Sequence, residues 1–165
     1  MRKLLLLIAT FFGVGRLPRS PGTWGTLATI PLALLLMWLG PLWHMAVIVV
    51  LLPLGIWAAD AFDRSETRHD CQEIVIDEVL GFLITMLWMP LTWQAVVIGF
   101  VLFRTLDILK PFPISVLDQR VKGGFGVMVD DVAAGLIANL VMQVILSQTA
   151  WLGVQSLVIS SRGGG

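Results

Sequence analysis

Thiols and imidazoles are almost missing from this sequence, which has one cysteine, Cys71, and two histidines in 165 residues. A lone thiol excludes an internal disulfide, and no Cys/His cluster has the spacing of a zinc site. Cys71 also lacks the arginine six positions on that a cysteine phosphatase needs, since Asp77 stands there. Charge is equally scarce. Asp, Glu, Lys and Arg make up 13% of the chain and cancel to zero, which excludes a polybasic nucleic-acid surface and an acidic disordered tail. The sequence therefore predicts no nucleic-acid partner.

What is abundant is apolar: 57% of residues are hydrophobic and the mean hydropathy is +0.88, the balance of a membrane protein. Apolar stretches cover residues 26–39, 42–59, 74–89, 91–109 and 132–146. Several fall short of the roughly 20 residues that a spanning helix needs. The opening "MRKLLLLIATFFGVG" has the basic start and apolar run of a signal peptide but no small-x-small cleavage pattern. It is expected to stay on the chain as a short helix lying at the interface. The predicted fold is all-α, a polytopic membrane bundle of about five apolar helices plus that interfacial helix. Residues 1–160 form the predicted membrane domain, and residues 161–165 a disordered tail.

Two kinds of connection separate the stretches. "GPLW" and "MPLTW" are tight, uncharged and rich in Pro and Trp, as aromatic-belt turns are. The connections at residues 13–25, 60–73 and 110–130 are long and hold Arg16, Arg19, Arg64, Arg68, Lys110, Arg120 and Lys122. If the stretches alternate in direction, all three fall on one face, which the positive-inside rule makes cytoplasmic.

Acids at the same face carry the candidate chemistry. "IVIDEVLG" sets Asp77 and Glu78, and "VDDVAAG" sets Asp130 and Asp131, at what read as helix N-termini. "FRTLDILK" spaces Arg104, Asp107 and Lys110 by one helical turn each. Capping and the helix dipole explain one acid per helix, but not adjacent pairs on two helices. Asp77 and Gly81, and likewise Asp131 and Gly135, are four apart, so each glycine lets a neighbouring helix approach beneath a carboxylate. Five carboxylates at one depth repel unless cations join them, and hard oxygen ligands favour magnesium, manganese or calcium. Magnesium commonly bridges carboxylates to a substrate phosphate, so Asp77, Glu78, Asp107, Asp130 and Asp131 are the candidate ligands.

The complement is basic and glycine-rich. "RLPRSPGTWGT" and "KGGFGV" offer Arg16, Arg19, Gly22, Thr23, Gly25, Gly123 and Gly124 as an anion-binding set. Neither is a Walker A loop, because the ordered G-x4-G-K-[ST] pattern is absent. His69, beside Asp70, is a weak candidate for proton transfer. His44 lies on the opposite face and is expected to be an interfacial side chain.

In order along the chain, "PGTWGTLATIP", "IVIDEVLGFLIT", "FRTLDILKPFPI" and "GGFGVMVDDVAAG" resemble the phosphatidylglycerophosphatase A family. The resemblance implies an integral, magnesium-dependent phosphatase of the bacterial cytoplasmic membrane that converts phosphatidylglycerophosphate to phosphatidylglycerol. On that footing Asp131 or Glu78 orients or deprotonates the attacking water, while Arg104 and Lys110 stabilise the transferring phosphoryl group. The D-x-D-x-[TV] pattern of haloacid-dehalogenase-like enzymes and the D-G-x2-A-R pattern of CDP-alcohol phosphotransferases are both absent. An ion path would need acids spread through the membrane depth.

Overall fold

The computed structural model describes residues 10–17, 20–63, 74–121 and 123–148. Arg19, His69, Cys71, Lys122, most of the N-terminal run and the tail at residues 161–165 lie outside them. After a 3-10 turn at Val14–Arg16 come six helices: α1 (Pro21–Leu39), α2 (Pro41–Asp63), α3 (Ile76–Met86), α4 (Trp93–Leu109), α5 (Ile114–Arg120) and α6 (Gly123–Gln148). No strand occurs among the described residues.

Among the described residues, three helical segments are long and apolar enough to cross a membrane: Pro21–Leu39, Pro41–Asp60 and Gly123–Gln148. The expected count of about five is thus reached by apolar helices only if two shorter ones are included. The stretch at residues 74–89 yields just the 11 residues of α3, about 16 Å of helix against a hydrocarbon layer of about 30 Å. Trp88, in the left-handed region at φ 61°, and Pro90 interrupt it. α3 survives at this length because it is sheathed in protein: every residue from Val79 to Met86 is buried.

α3 and α6 run parallel and make the most extensive helix contact in the bundle. A Cβ on Gly135 would stand 2.4 Å from the Gly81 carbonyl oxygen, and one on Gly81 would stand 2.8 Å from that of Asp131. The two backbones therefore touch, as small residues allow in membrane bundles. Asn139 meets Thr85 at the same 54-residue offset that relates Gly135 to Gly81.

A short helix ending inside an apolar bundle must have its last carbonyls satisfied by protein. Two polar side chains on other helices do this. His44 Nε2 donates to the Leu83 carbonyl at 2.9 Å, and Asn139 Nδ2 donates to those of Thr85 at 3.0 Å and Leu87 at 2.8 Å. The amides of Leu87 and Met89 reach the carbonyls of Ile84 and Met86. His44 is thus not the interfacial side chain expected from its position: it is 1% exposed and bonded into the core.

The bundle has two unlike ends. At one, the tight turns after α1 and α3 expose Trp38, Trp43, Trp88 and Trp93. At the other, the N-termini of α1, α3 and α6 meet the C-termini of α2 and α4, and the described parts of the charged connections gather there. The glycine-rich segments are not open loops at this end. Gly22, Thr23 and Gly25 lie in the first turns of α1, and "GGFGV" opens α6. Helix formation at Gly123 is supported from α2, where Asp60 Oδ1 accepts the Gly124 amide at 3.0 Å.

Replacing Asn139 with Leu leaves the Thr85 and Leu87 carbonyls unpaired in an apolar interior, at about 1–3 kcal/mol for each group. The expected outcome is a clearly lowered thermal unfolding midpoint for Asn139→Leu in detergent. An unchanged midpoint would show that α3 does not need this cap.

Candidate active site

The charged end is built around the first turn of α3. Asp77 and Glu78 occupy that turn, as the sequence suggested. Asp130 and Asp131 do not sit at a helix start: α6 begins at Gly123, so they lie about two turns inside it, and both are buried. Capping therefore gives no account of them. The Gly81 and Gly135 contact lies one turn below, and it presses the Asp131 backbone against α3.

Ligand oxygens of Asp77, Glu78 and Asp131 all lie within 4.8 Å of one another. The other two acids are drawn off by cations. Asp107 Oδ2 accepts from Arg104 Nη1 at 2.5 Å, and Asp130 Oδ2 accepts from Lys110 Nζ at 2.6 Å. Lys110 also pairs with Asp118 at 2.5 Å. Asp118, eight residues on, was invisible in the sequence because the turn that carries α5 back over Lys110 sets the pairing.

Arg104 ties three helices together. Its Nη1 is 4.0 Å from Glu78 Oε1, and its Nη2 donates to Thr23 Oγ1 at 3.4 Å. Gly22 makes room for this junction, since a Cβ there would stand 1.9 Å from Glu78 Oε1. Gly25 instead admits the Val75 side chain. Gly124 spends its amide on Asp60, and a Cβ would collide with the α2 backbone, so this glycine docks a helix instead of leaving an open anion cradle. Gly123 supplies the left-handed residue (φ 75°) at which α6 begins. Arg16 is placed by its backbone alone, in the 3-10 turn.

Three facing carboxylates that share only Arg104, 4.0 Å from Glu78, make an electrostatic deficit. Burial pushes the Asp77 carboxyl well above the usual range, and its neighbour Glu78 adds to this. Burial likewise raises Glu78 to about 7; the bond with Asp77 opposes the rise, and the charges of Asp131 and Asp107 assist it. Burial alone would lower Lys110, but its bonds to Asp118 and Asp130 outweigh this and hold the ammonium above the usual lysine range. Among the described residues, four buried side-chain polar atoms have no hydrogen-bond partner: Glu78 Oε2, Asp131 Oδ2, Asp130 Oδ1 and Arg104 Nε. Unpaired, buried and converging oxygens of hard donors fit a divalent cation such as magnesium.

Without metal, the folded state holds the Glu78 proton more tightly than the unfolded chain does. Its stabilising contribution is therefore complete below the ordinary value of 4.5 and lost as pH rises through about 7. In chelator, the unfolding midpoint should be lower at alkaline than at mildly acidic pH, with a shallower slope in Glu78→Gln. Equal slopes in the two proteins would remove Glu78 as the source.

The phosphatidylglycerophosphatase A family model matches residues 7–146. An Escherichia coli K12 phosphatidylglycerophosphatase A is 42% identical over 135 residues, covering 80% of this chain and 77% of the relative. A Haemophilus influenzae protein of the same name is 40% identical over 138 residues, covering 82% and 85%. A Bacteroides thetaiotaomicron protein provisionally named a phosphatidylinositol-3-phosphatase is 39% identical over 149 residues, covering 86% and 92%. No solved structure matches the chain significantly. A membrane-helix bundle with its acids gathered at one end, matched over most of its length by these proteins, belongs to the phosphatidylglycerophosphatase A family and is a phosphatase.

Proposed function

We propose that this chain hydrolyses the terminal phosphomonoester of phosphatidylglycerophosphate to phosphatidylglycerol and inorganic phosphate, at the cytoplasmic face of the bacterial inner membrane. The observation that carries the reading is the convergence of Asp77, Glu78 and Asp131, with unpaired buried oxygens on the last two, beside Arg104. These three carboxylates would hold magnesium, with Asp107 and Asp130 behind them, each neutralised by its cation. Magnesium supplies charge for the phosphoryl oxygens and acidity to water at such a site.

Arg104 binds the phosphoryl oxygens through its guanidinium, which Asp107 and Thr23 hold in place. Glu78, whose Oε2 has no hydrogen-bond partner, takes the proton of the attacking water. As the bond from phosphorus to the glycerol oxygen breaks, that proton passes to the departing oxygen, and inorganic phosphate is left. Lys110 sits outside this centre and anchors α5 to α6 through Asp118 and Asp130. An ion path is disfavoured because the described acids gather at one end, opposite Trp38, Trp43, Trp88 and Trp93.

The test is phosphate release by the detergent-purified protein, with magnesium and with chelator, from phosphatidylglycerophosphate and from phosphatidylinositol 3-phosphate. Release from the first lipid should need magnesium and fall by about 100-fold or more in Asp131→Asn. Magnesium should also raise the unfolding midpoint of the wild type and not of that variant. No release by the folded wild type, or preference for the inositol lipid, would overturn the substrate assignment. Gly22→Ala, whose methyl crowds the flexible end of Glu78 and comes within 3.1 Å of Arg104 Nη1, should cost about tenfold in rate while leaving the unfolding midpoint nearly unchanged. Full activity in that variant would free Glu78 from any need for its observed position.

A further inference from the structure

The ammonium of Lys110 sits between two acids. Its Nζ donates to Asp118 Oδ1 at 2.5 Å and to Asp130 Oδ2 at 2.6 Å. Carboxylate oxygens surround a bound calcium ion at about 2.3–2.6 Å, so this nitrogen lies about as close to both oxygens as a divalent cation would. The backbone does not call for lysine here. Lys110 caps α4 in the left-handed region at φ 42°, where glycine or asparagine is the relaxed residue. Asp130 is 6% exposed, and its other oxygen, Oδ1, has no hydrogen-bond partner. A buried carboxylate so poorly solvated needs a cation that stays in place.

The alternative occupant is a second divalent ion. Phosphate-ester enzymes often use two metals, and this end of the bundle has carboxylates enough for both. Among the described residues, however, one set of three acids converges, Asp77, Glu78 and Asp131, with ligand oxygens within 4.8 Å of one another. Asp107 is taken by Arg104, and Asp130 by Lys110. We infer that the Lys110 ammonium stands where a second divalent ion would otherwise bind, between Asp118 and Asp130, and that the active centre takes one exchangeable ion. A cation tethered to the chain is not removed by a chelator, so α5 stays joined to α6 whether the centre is loaded or empty. This rests on the metal reading of the three converging carboxylates and adds its stoichiometry.

Counting bound ions tests it. Manganese suits the same oxygen ligands as magnesium and can be counted per chain by equilibrium dialysis of the full protein in an uncharged detergent. The wild type should bind one ion and Asp131→Asn none. Lys110→Asn removes the ammonium yet suits the left-handed backbone, and it should bind a second ion while keeping the first. Adding Asp118→Asn to that variant should return the count to one, whereas an ion held elsewhere would stay. If Lys110→Asn is unfolded without metal, manganese should restore its folding by bridging the same two acids, and should fail to do so once Asp118→Asn is added. Two ions on the wild type, no second ion on Lys110→Asn, or a second ion or a rescue indifferent to Asp118→Asn overturns the role given to Lys110. A wild type that binds no manganese overturns the metal reading itself, and the stoichiometry with it.

Discussion

The bundle turns on the place where the backbones of α3 and α6 touch. Lipid chains are as apolar as leucine, so helices in a bilayer gain nothing from hiding apolar surface against each other, and close van der Waals fit must hold them. Gly81 and Gly135 supply that fit, with the Phe103 ring laid against Gly81 from α4. Because the helices run parallel, one contact fixes both ends. A turn toward the charged end it sets Asp77 and Glu78 against Asp131; a turn the other way it delivers Asn139 to the end of α3. A side chain at either glycine would disturb the acids and the cap together.

The same parallel packing accounts for the shortness of α3. A helix of about 16 Å cannot reach from one interface to the other. Within the bundle it need not, provided its last carbonyls find donors, and His44 and Asn139 provide them. What the short helix achieves is depth. Its N-terminal acids are carried below the ends of α4 and α6, into surroundings where unpaired carboxylates are costly. The two nearby cations relieve this only in part, since Arg104, 4.0 Å from Glu78, is engaged mainly by Asp107, and Lys110 by Asp118 and Asp130. The outer acids and the cations neutralise each other, and the inner three remain as the oxygen-rich set that a divalent ion fits.

Much of this was legible in the chain itself. Hydropathy located the long helices among the described residues, the tight Trp-rich turns marked one end, and the glycines four residues after Asp77 and Asp131 signalled the close approach. What could not be read depends on partners far away in sequence. "GGFGV" reads as a loop because glycine is a poor helix former. It is helical because Asp60, 64 residues earlier, accepts the Gly124 amide, and because only glycine fits against the α2 backbone. Five acids looked equivalent because local spacing cannot say which of them faces a cation; that follows from the rotation of α4 and the path of α5. His44 and Asn139 gave no signal at all, since a polar residue in an apolar run looks the same whether it is wasted on lipid or spent on another helix's carbonyls.

Depth also constrains how a substrate can arrive. Asp131 lies eight residues into α6, about 12 Å along its axis, and α5 and the α1 N-terminus pack around the same end of the bundle. A water-soluble phosphomonoester would have to descend between these elements. A phospholipid, on the proposed reading, brings its phosphate to this end of the bundle while its chains stay in the bilayer. Arg104, a charge carried on an apolar helix and held by Asp107 and Thr23 beside Glu78, costs less if a substrate anion shares it. On the proposed reading, the charge in the apolar helix and the recessed acids are therefore answers to one requirement: a reaction on a substrate that does not leave the membrane.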